Sequence, residues 1–301
     1  MRILILLISI LTFESVNSEA LILSMRDRAE VIDQIIDERI ATVLPNIMER
    51  TGIDMWVIIS REYNEDPVLK TFLPSTWQTA RRRTILLIYN PGNNQPLETL
   101  AVARYGVGNT FIKAWDKELH GDQWKRLSDL IDERDPDKIG INYSDTFALA
   151  DGITHTEYDL FINSLKSQYK ERLVSAEDLA VGWLETRSDL EMTIYQQICR
   201  IAHEILASGL TDEVIQTGIT TTNDVAWWYR DRIRELKLTA WFHPSVSIQR
   251  KSSPNLDAKS SILARHDDNI IMPGDLLHVD FGITYLRLST DTQQHAYVLK
   301  T

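Results

Sequence analysis

The chain has 301 residues, 44% hydrophobic and 25% charged, which is enough apolar material for a sizeable core and about two domains. Its formal net charge of -11 and pI near 5.1 exclude the basic field that nucleic acid or an acidic membrane surface requires. A single cysteine, Cys199, excludes an internal disulfide; it falls beside the apolar stripe of an expected helix and reads as a core residue rather than a nucleophile.

Met1 and Arg2 precede an apolar run from Ile3 to Leu11, and polar residues follow to Val16-Asn17-Ser18. The run is shorter than the roughly 18 residues of a spanning helix, and small residues occupy the cleavage positions. Residues 1–18 therefore read as a secretory signal peptide cleaved after Ser18, with an N-terminal anchor as the alternative. No other stretch is long and apolar enough to cross a membrane. The mature chain is expected to be exported, periplasmic or secreted, with no stable membrane span.

From Ile22 to Leu44 apolar residues such as Val31, Ile35, Ile36, Ile40 and Val43 recur at helical spacing, predicting an amphipathic helix that ends or kinks near Pro45. Met55–Ser60 and Thr84–Tyr89 read as buried strands, the second closed by the turn Asn90-Pro91-Gly92-Asn93 and paired with Leu100–Tyr105 as a hairpin. A helix over Asp122–Arg134 presents Trp124, Leu127, Leu130 and Ile131 on one face, and Lys138–Asn142 is a further strand. This order predicts an α/β domain of the α+β type. The polar loop Arg61–Pro67 directly follows a buried strand, a place where functional residues collect. Arg81-Arg82-Arg83 invites a nucleic-acid or substrate-carboxylate reading. Three consecutive arginines point in different directions, however, so a solvated face or pairing with nearby acids is preferred.

A helix over Tyr158–Tyr169 leads to a boundary near Ser175, which sets domains over residues 19–175 and 176–301. Asp189 is the expected cap of a long helix whose buried stripe is Ile194, Ile198, Ile201, Ile205 and Leu206, with His203 as a surface or packing residue. Thr220-Thr221-Thr222-Asn223 offers caps for a second helix, on which Val225, Trp228, Tyr229, Ile233 and Leu236 face inward. Of the adjacent Trp227 and Trp228, one is expected to pack and the other to line an interface or cleft. A strand is expected over Ala240–Gln249.

The chemistry gathers in Gly274-Asp275-Leu276-Leu277-His278-Val279-Asp280-Phe281-Gly282 and in Ser289-Thr290-Asp291. Gly274 and Asp275 read as a turn feeding a strand. Asp280 lies in an apolar run where an unpartnered carboxylate costs on the order of 1–3 kcal/mol, so a positive group is expected to face it. The odd separation of Asp280 and Asp291 lets the two arms of a hairpin set them opposite each other, with Cβ atoms about 5 Å apart. Carboxylates that close repel unless a cation lies between them, and hard cations favour such oxygen ligands. On residue types alone, a solvated acidic hairpin is the competing reading.

The G-D-hydrophobic-x-x-x-D-F-G pattern, followed by Asp291 in its S-x-D context, resembles the pita-bread metallopeptidase family, which includes aminopeptidase P, prolidase, methionine aminopeptidase and the metal-free creatinase. Gly52-Ile53-Asp54-Met55-Trp56-Val57-Ile58 is similar to the N-terminal domain that creatinase, prolidase and aminopeptidase P carry. The resemblance implies a mixed-sheet, creatinase-like N-terminal domain followed by the first half of a pita-bread catalytic domain. It makes Asp280 and Asp291 the first two ligands of a pair of divalent ions, manganese above cobalt or zinc. The implied activity is that of an Xaa-Pro aminopeptidase or dipeptidase, cutting short peptides with metal-activated water. A homodimer is a family expectation.

Two histidines are candidates by the same resemblance. The family's histidine suited to hydrogen-bonding the reacting carbonyl has its nearest counterpart in His266, flanked by Asp267 and Asp268. His243, within the segment Trp241–Ser247 that resembles the family's stretch beside the metal cleft, is either a substrate contact or an ordinary strand-end histidine. Tyr285-Leu286-Arg287-Leu288 lacks the glycine that related hairpins use for positive φ, so its loop is expected to differ. The family's remaining ligands, one histidine and two glutamates, belong to the second half of the fold, so the chain reads as truncated within the catalytic domain. If Thr301 is the native end, an inactive remnant or binding protein on the same fold is expected instead. A metal-free creatinase-type hydrolase is the third reading, disfavoured by the presence of both aspartates.

Overall fold

The structure is a computed structural model that describes residues 22–93, 95–250 and 269–300. The expected signal peptide and His266, with Asp267 and Asp268, lie outside these residues. Among them, no helix is long and apolar enough to cross a membrane.

Pro45 has no N–H to donate, so helical order breaks at Val43 between α1 (Met25–Thr42) and α2 (Leu44–Thr51), with Pro45 in the first turn of α2. Gly52, at φ 64°, closes α2 in the left-handed conformation and turns the chain into β1 (Met55–Arg61). There follow α3 (Pro67–Phe72), β2 (Arg83–Tyr89), β3 (Glu98–Ala101), β4 (Ile112–Lys113), α4 (Lys117–His120) and α5 (Gln123–Arg134). Next come β5 (Ile139–Ile141), α6 (His155–Ser164), α7 (Ser167–Lys170), β6 (Leu173–Ser175) and α8 (Glu177–Glu185). The strands form one mixed sheet in the order β4-β3-β2-β1-β5-β6, with β2 antiparallel and β5 parallel to the central β1. Alternation along β1 sends Trp56 and Ile58 into a core with α1, α2, α3 and α8. Met55, Val57 and Ile59 enter a second core with α5 and α6. Every residue of β1 except Arg61 is accordingly buried.

Several expectations change. The strand beside β2 is Glu98–Ala101 rather than Leu100–Tyr105, because the chain turns after Val102 and Ala101 O accepts a bond from Ala114 N at 2.8 Å. The helix expected over Tyr158–Tyr169 is two helices, since Leu165 adopts extended backbone and is buried in the core. Contacts divide the chain into two compact units, Met25–Thr193 and a second from Ile194, within α9 (Asp189–Gly209). Helix α8 belongs to the first unit because Leu179, Ala180 and Trp183 complete its core. The cap of α9 is Ser188, not Asp189. Ser188 Oγ accepts from Glu191 N at 3.2 Å while Ser188 N donates to Glu191 Oε2 at 2.8 Å, a reciprocal capping box.

In the second unit α9 buries Ile198, Ile201, Ile205 and Leu206, leaving Ile194 and Cys199 half-buried and His203 exposed. A capping box between Thr221 and Asp224 starts α10 (Thr222–Glu235), which buries Val225, Tyr229 and Ile233. The Tyr229 hydroxyl donates to Leu206 O at 2.9 Å, tying α10 to α9. The strands are β7 (Thr239–Ala240), β8 (Ser245–Gln249), β9 (Leu276–Phe281), β10 (Ile283–Tyr285), β11 (Leu288–Ser289) and β12 (Thr292–Tyr297), arranged as sheets β11-β10-β7 and β12-β9-β8. The strand expected over Ala240–Gln249 is interrupted at Trp241–Pro244, where Trp241 N donates to Gly282 O at 3.0 Å and Pro244 has no N–H to donate.

Candidate functional site

Strand β9 has one apolar and one polar face. Leu277, Val279 and Phe281 are buried, the last with its ring 5.3 Å from that of Tyr229, while Leu276, His278 and Asp280 point the other way and are half-buried. The phase of this alternation is set at the strand's start. Gly274, at φ 96°, makes the turn, and the buried carboxylate of Asp275 accepts from Met272 N at 2.8 Å and from the Arg250 guanidinium. Arg250 holds the Asp275 carboxyl below the usual carboxylate range.

Asp280 is the central strand's last polar-face residue, with Ser245 of β8 on one side and Gln293 of β12 on the other. Asp280 Oδ1 is buried and, among the described residues, has no hydrogen-bond partner. The positive group expected to face Asp280 is therefore not supplied by a described side chain. An oxygen left in that state matches what a hard cation takes up.

Asp291 does not stand opposite Asp280. The hairpin register pairs Thr292 with Phe281 and Thr284 with Ser289, and carrying it through places Asp291 across from Gly282. The aspartates are thus diagonal neighbours, about 7–8 Å apart by general sheet geometry, with Asp291 exposed. The register is set by Leu286 and Arg287, which form the two-residue turn at φ 53° and 64° without a glycine. Gly282 permits the bend between β9 and β10: a Cβ there would lie 2.5 Å from Thr290 O and 2.6 Å from the Phe242 ring. Both carboxylates still sit at one end of the polar face, and their oxygens suit the site proposed for divalent ions.

His243 is exposed, two residues before Ser245, and so comes to the same sheet end as Asp280. Its ring lies 5.2 Å from that of Trp227, and its Nδ1 is 3.4 Å from Arg230 Nη1. Trp227 is 53% exposed, whereas Trp228 sets its ring edge against Tyr229. Two residues not singled out in the sequence also lie on this face. His278 and His295 pair across β9 and β12 with ring centroids 4.8 Å apart, and His278 Nε2 is 3.1 Å from Gln293 Oε1. The period of two counted back from Asp280 reaches His278, but finding His295 requires the register. Among the described residues, no three histidine, cysteine, aspartate or glutamate side chains gather as a ligand group.

The two units, a mixed sheet layered by helices and a helix pair with a bent hairpin, have the fold of the pita-bread peptidases. The X-Pro aminopeptidase of Thermotoga maritima matches with a TM-score of 0.54 at 17% identity, over 83% of this chain and 64% of its own. Aminopeptidase P from E. coli matches with a TM-score of 0.53 at 13% identity, over 89% and 62%. A dipeptidase from Pyrococcus horikoshii matches with a TM-score of 0.51 at 16% identity, over 88% and 65%. The chain thus spans less than two thirds of the length of these structures. No protein-family model matches the chain, and neither does any curated protein.

Proposed function

We propose that the chain forms part of a metal-dependent peptidase for short peptides, with Xaa-Pro bonds as its substrate class. The observation that carries this reading is the buried Oδ1 of Asp280, without a hydrogen-bond partner among the described residues, on the polar face of a sheet with the pita-bread fold. In this reading Asp280 and Asp291 supply carboxylate oxygens to a pair of divalent ions, manganese foremost, with cobalt and zinc as alternatives. Bound there, such ions polarise a carbonyl and lower the pKa of water. The residues of this chain have defined tasks: Asp275 and Arg250 fix the strand that presents Asp280, and Gly282 brings the Asp291 arm close. His243 and Trp227 supply a polar and aromatic rim for a peptide at the same sheet end. The leader residues add an exported location to the proposal.

The test is release of the N-terminal residue from an Xaa-Pro peptide by the protein isolated from its native source. Manganese-dependent release that Asp280→Asn and Asp291→Asn each abolish supports the proposal. Release that survives thorough chelation and both substitutions points to a metal-free hydrolase, and no release under any metal points to a binding protein; either result overturns it.

A further inference from the structure

Although the chain is acidic overall, its first unit gathers four arginines around one open depression of about 520 Å³. Arg61 ends β1, Arg82 and Arg83 lie at the start of β2, and Arg104 follows β3; Glu62, Tyr63, Trp115 and Gln123 complete the lining. Arg61 and Arg83 are direct partners across the β1–β2 ladder, an arrangement of like charges that disfavours the pairing. Glu157, itself buried, partly offsets it, with Oε2 2.6 Å from Arg83 Nε and Oε1 3.7 Å from Arg61 Nε. Glu62 lies 3.5 Å from Arg82 in an exposed pair, where attraction is weak. Arg104 is exposed and has no ion pair among the described residues. Among the described residues, three of these guanidinium groups thus share two carboxylates, and the fourth, that of Arg104, has none.

The backbone at this rim is also unusual. Tyr63 and Arg82 hold φ at 70° and 56°, a region that side chains other than glycine enter at a cost and that clusters at ligand sites. Glu62 fixes both turns, donating its N–H to Arg82 O at 2.6 Å and accepting from Arg82 N at 3.1 Å. Gln123 at the floor already donates to the carbonyls of Val102 and Arg83, and Arg83 is engaged by Glu157 and the Trp124 ring, so Arg61, Arg82 and Arg104 remain the available donors. Arg81, by contrast, turns away onto the Trp77 ring.

We propose that this depression is an oxyanion-binding site for the carboxylate of a small peptide or organic acid. The guanidinium fork fits carboxylate and phosphate alike. The aromatic rings of Tyr63 and Trp115 and a volume exceeding that of a bare ion favour an anion with an organic body. The site lies wholly within the first unit and does not rest on the peptidase reading.

Calorimetry on the intact chain tests it with N-acetyl-Ala-Ala, the same peptide as its C-terminal amide, and inorganic phosphate. The blocked amine keeps the probe from aminopeptidase turnover. Saturable binding of the acid is expected, weakened about tenfold or more by amidation and by Arg104→Gln, and further by adding Arg82→Gln. Circular dichroism confirms that each variant stays folded. Phosphate bound more tightly than the acid, with the same dependence on Arg104, upholds the oxyanion site and assigns it to phosphate. Equal affinity for acid and amide, binding unmoved by Arg104→Gln, or no binding of any probe overturns the proposal.

Discussion

Arg250 grips Asp275 at two points, with Nε 2.7 Å from Oδ1 and Nη2 2.8 Å from Oδ2. The same guanidinium donates to Ile270 O at 2.7 Å, so the end of β8 is fastened to the turn that begins β9. The Asp275 side chain is buried while that of Arg250 is 40% exposed, so screening reduces the pair below the worth of a fully buried one. Asp275→Asn is expected to cost about 1–3 kcal/mol in urea unfolding. An unchanged midpoint would show that the turn holds its phase without this pair.

The pair also sets a pH dependence. The folded carboxyl of Asp275 titrates below its unfolded value because Arg250 favours the charged form. Its stabilisation is therefore fully present above the unfolded value, about 3.9, and is lost as pH falls through the lowered folded value. Paired melts of wild type and Asp275→Asn are expected to differ by a constant amount above about pH 5 and to converge in acid. A gap that widens on acidification would contradict the assignment.

Asp280 predicts the opposite signs for stability and binding. Its buried Oδ1 has no partner among the described residues, so Asp280→Asn is expected to leave the metal-free chain as stable or to stabilise it by up to about 2 kcal/mol. The same change is expected to weaken manganese binding. Thermal melts with and without manganese read both effects, and a large loss of metal-free stability would mean that Asp280 holds the fold rather than a ligand.

In the first unit Asp66 is locked by three donors: Val68 N at 2.7 Å, Leu69 N at 3.0 Å and Asn142 Nδ2 at 2.9 Å. Burial pushes its carboxyl above the usual range. A Cβ at Gly152 would lie 2.0 Å from Asp66 Oδ2, and the bonded carboxylate has little freedom to move. Gly152→Ala is expected to cost about 2 kcal/mol or more, visible as a lowered melting temperature. A neutral result would show that the Asp66 network shifts readily.

Arg39 and Glu191 form a buried ion pair, and Arg39 also donates to Thr186 O at 2.6 Å and stacks over Trp183. Glu191→Ala leaves this guanidinium buried without its carboxylate and removes half of the capping box on α9. A loss of about 3–5 kcal/mol is expected. The double variant Arg39→Met, Glu191→Leu is expected to regain much of it, because apolar groups need no partner. Chemical denaturation of the single and double variants distinguishes this from a plain packing loss, in which the double variant would be the worse.

Local order was legible in the sequence because it follows from spacing. The periods of two and 3.6 placed β1, β2, α5, α9 and α10, and the run Thr220-Thr221-Thr222-Asn223 announced the start of α10, where the structure selects Thr221. The same alternation isolated Asp280 on an otherwise apolar strand, and Pro45 marked the helix break. Short-range competition was harder to read: Ser188 rather than Asp189 caps α9 because Glu191 returns its bond. What only the tertiary structure decided was the pairing between distant segments. Strand register sets Gln293 rather than Asp291 opposite Asp280, because Leu286 and Arg287 form the turn and Gly282 allows the bend. Register likewise brings His295 to His278 and Arg61 to Arg83. A side chain's face is encoded by its neighbours along the chain, whereas its partner depends on the turns and packing of residues far away in sequence.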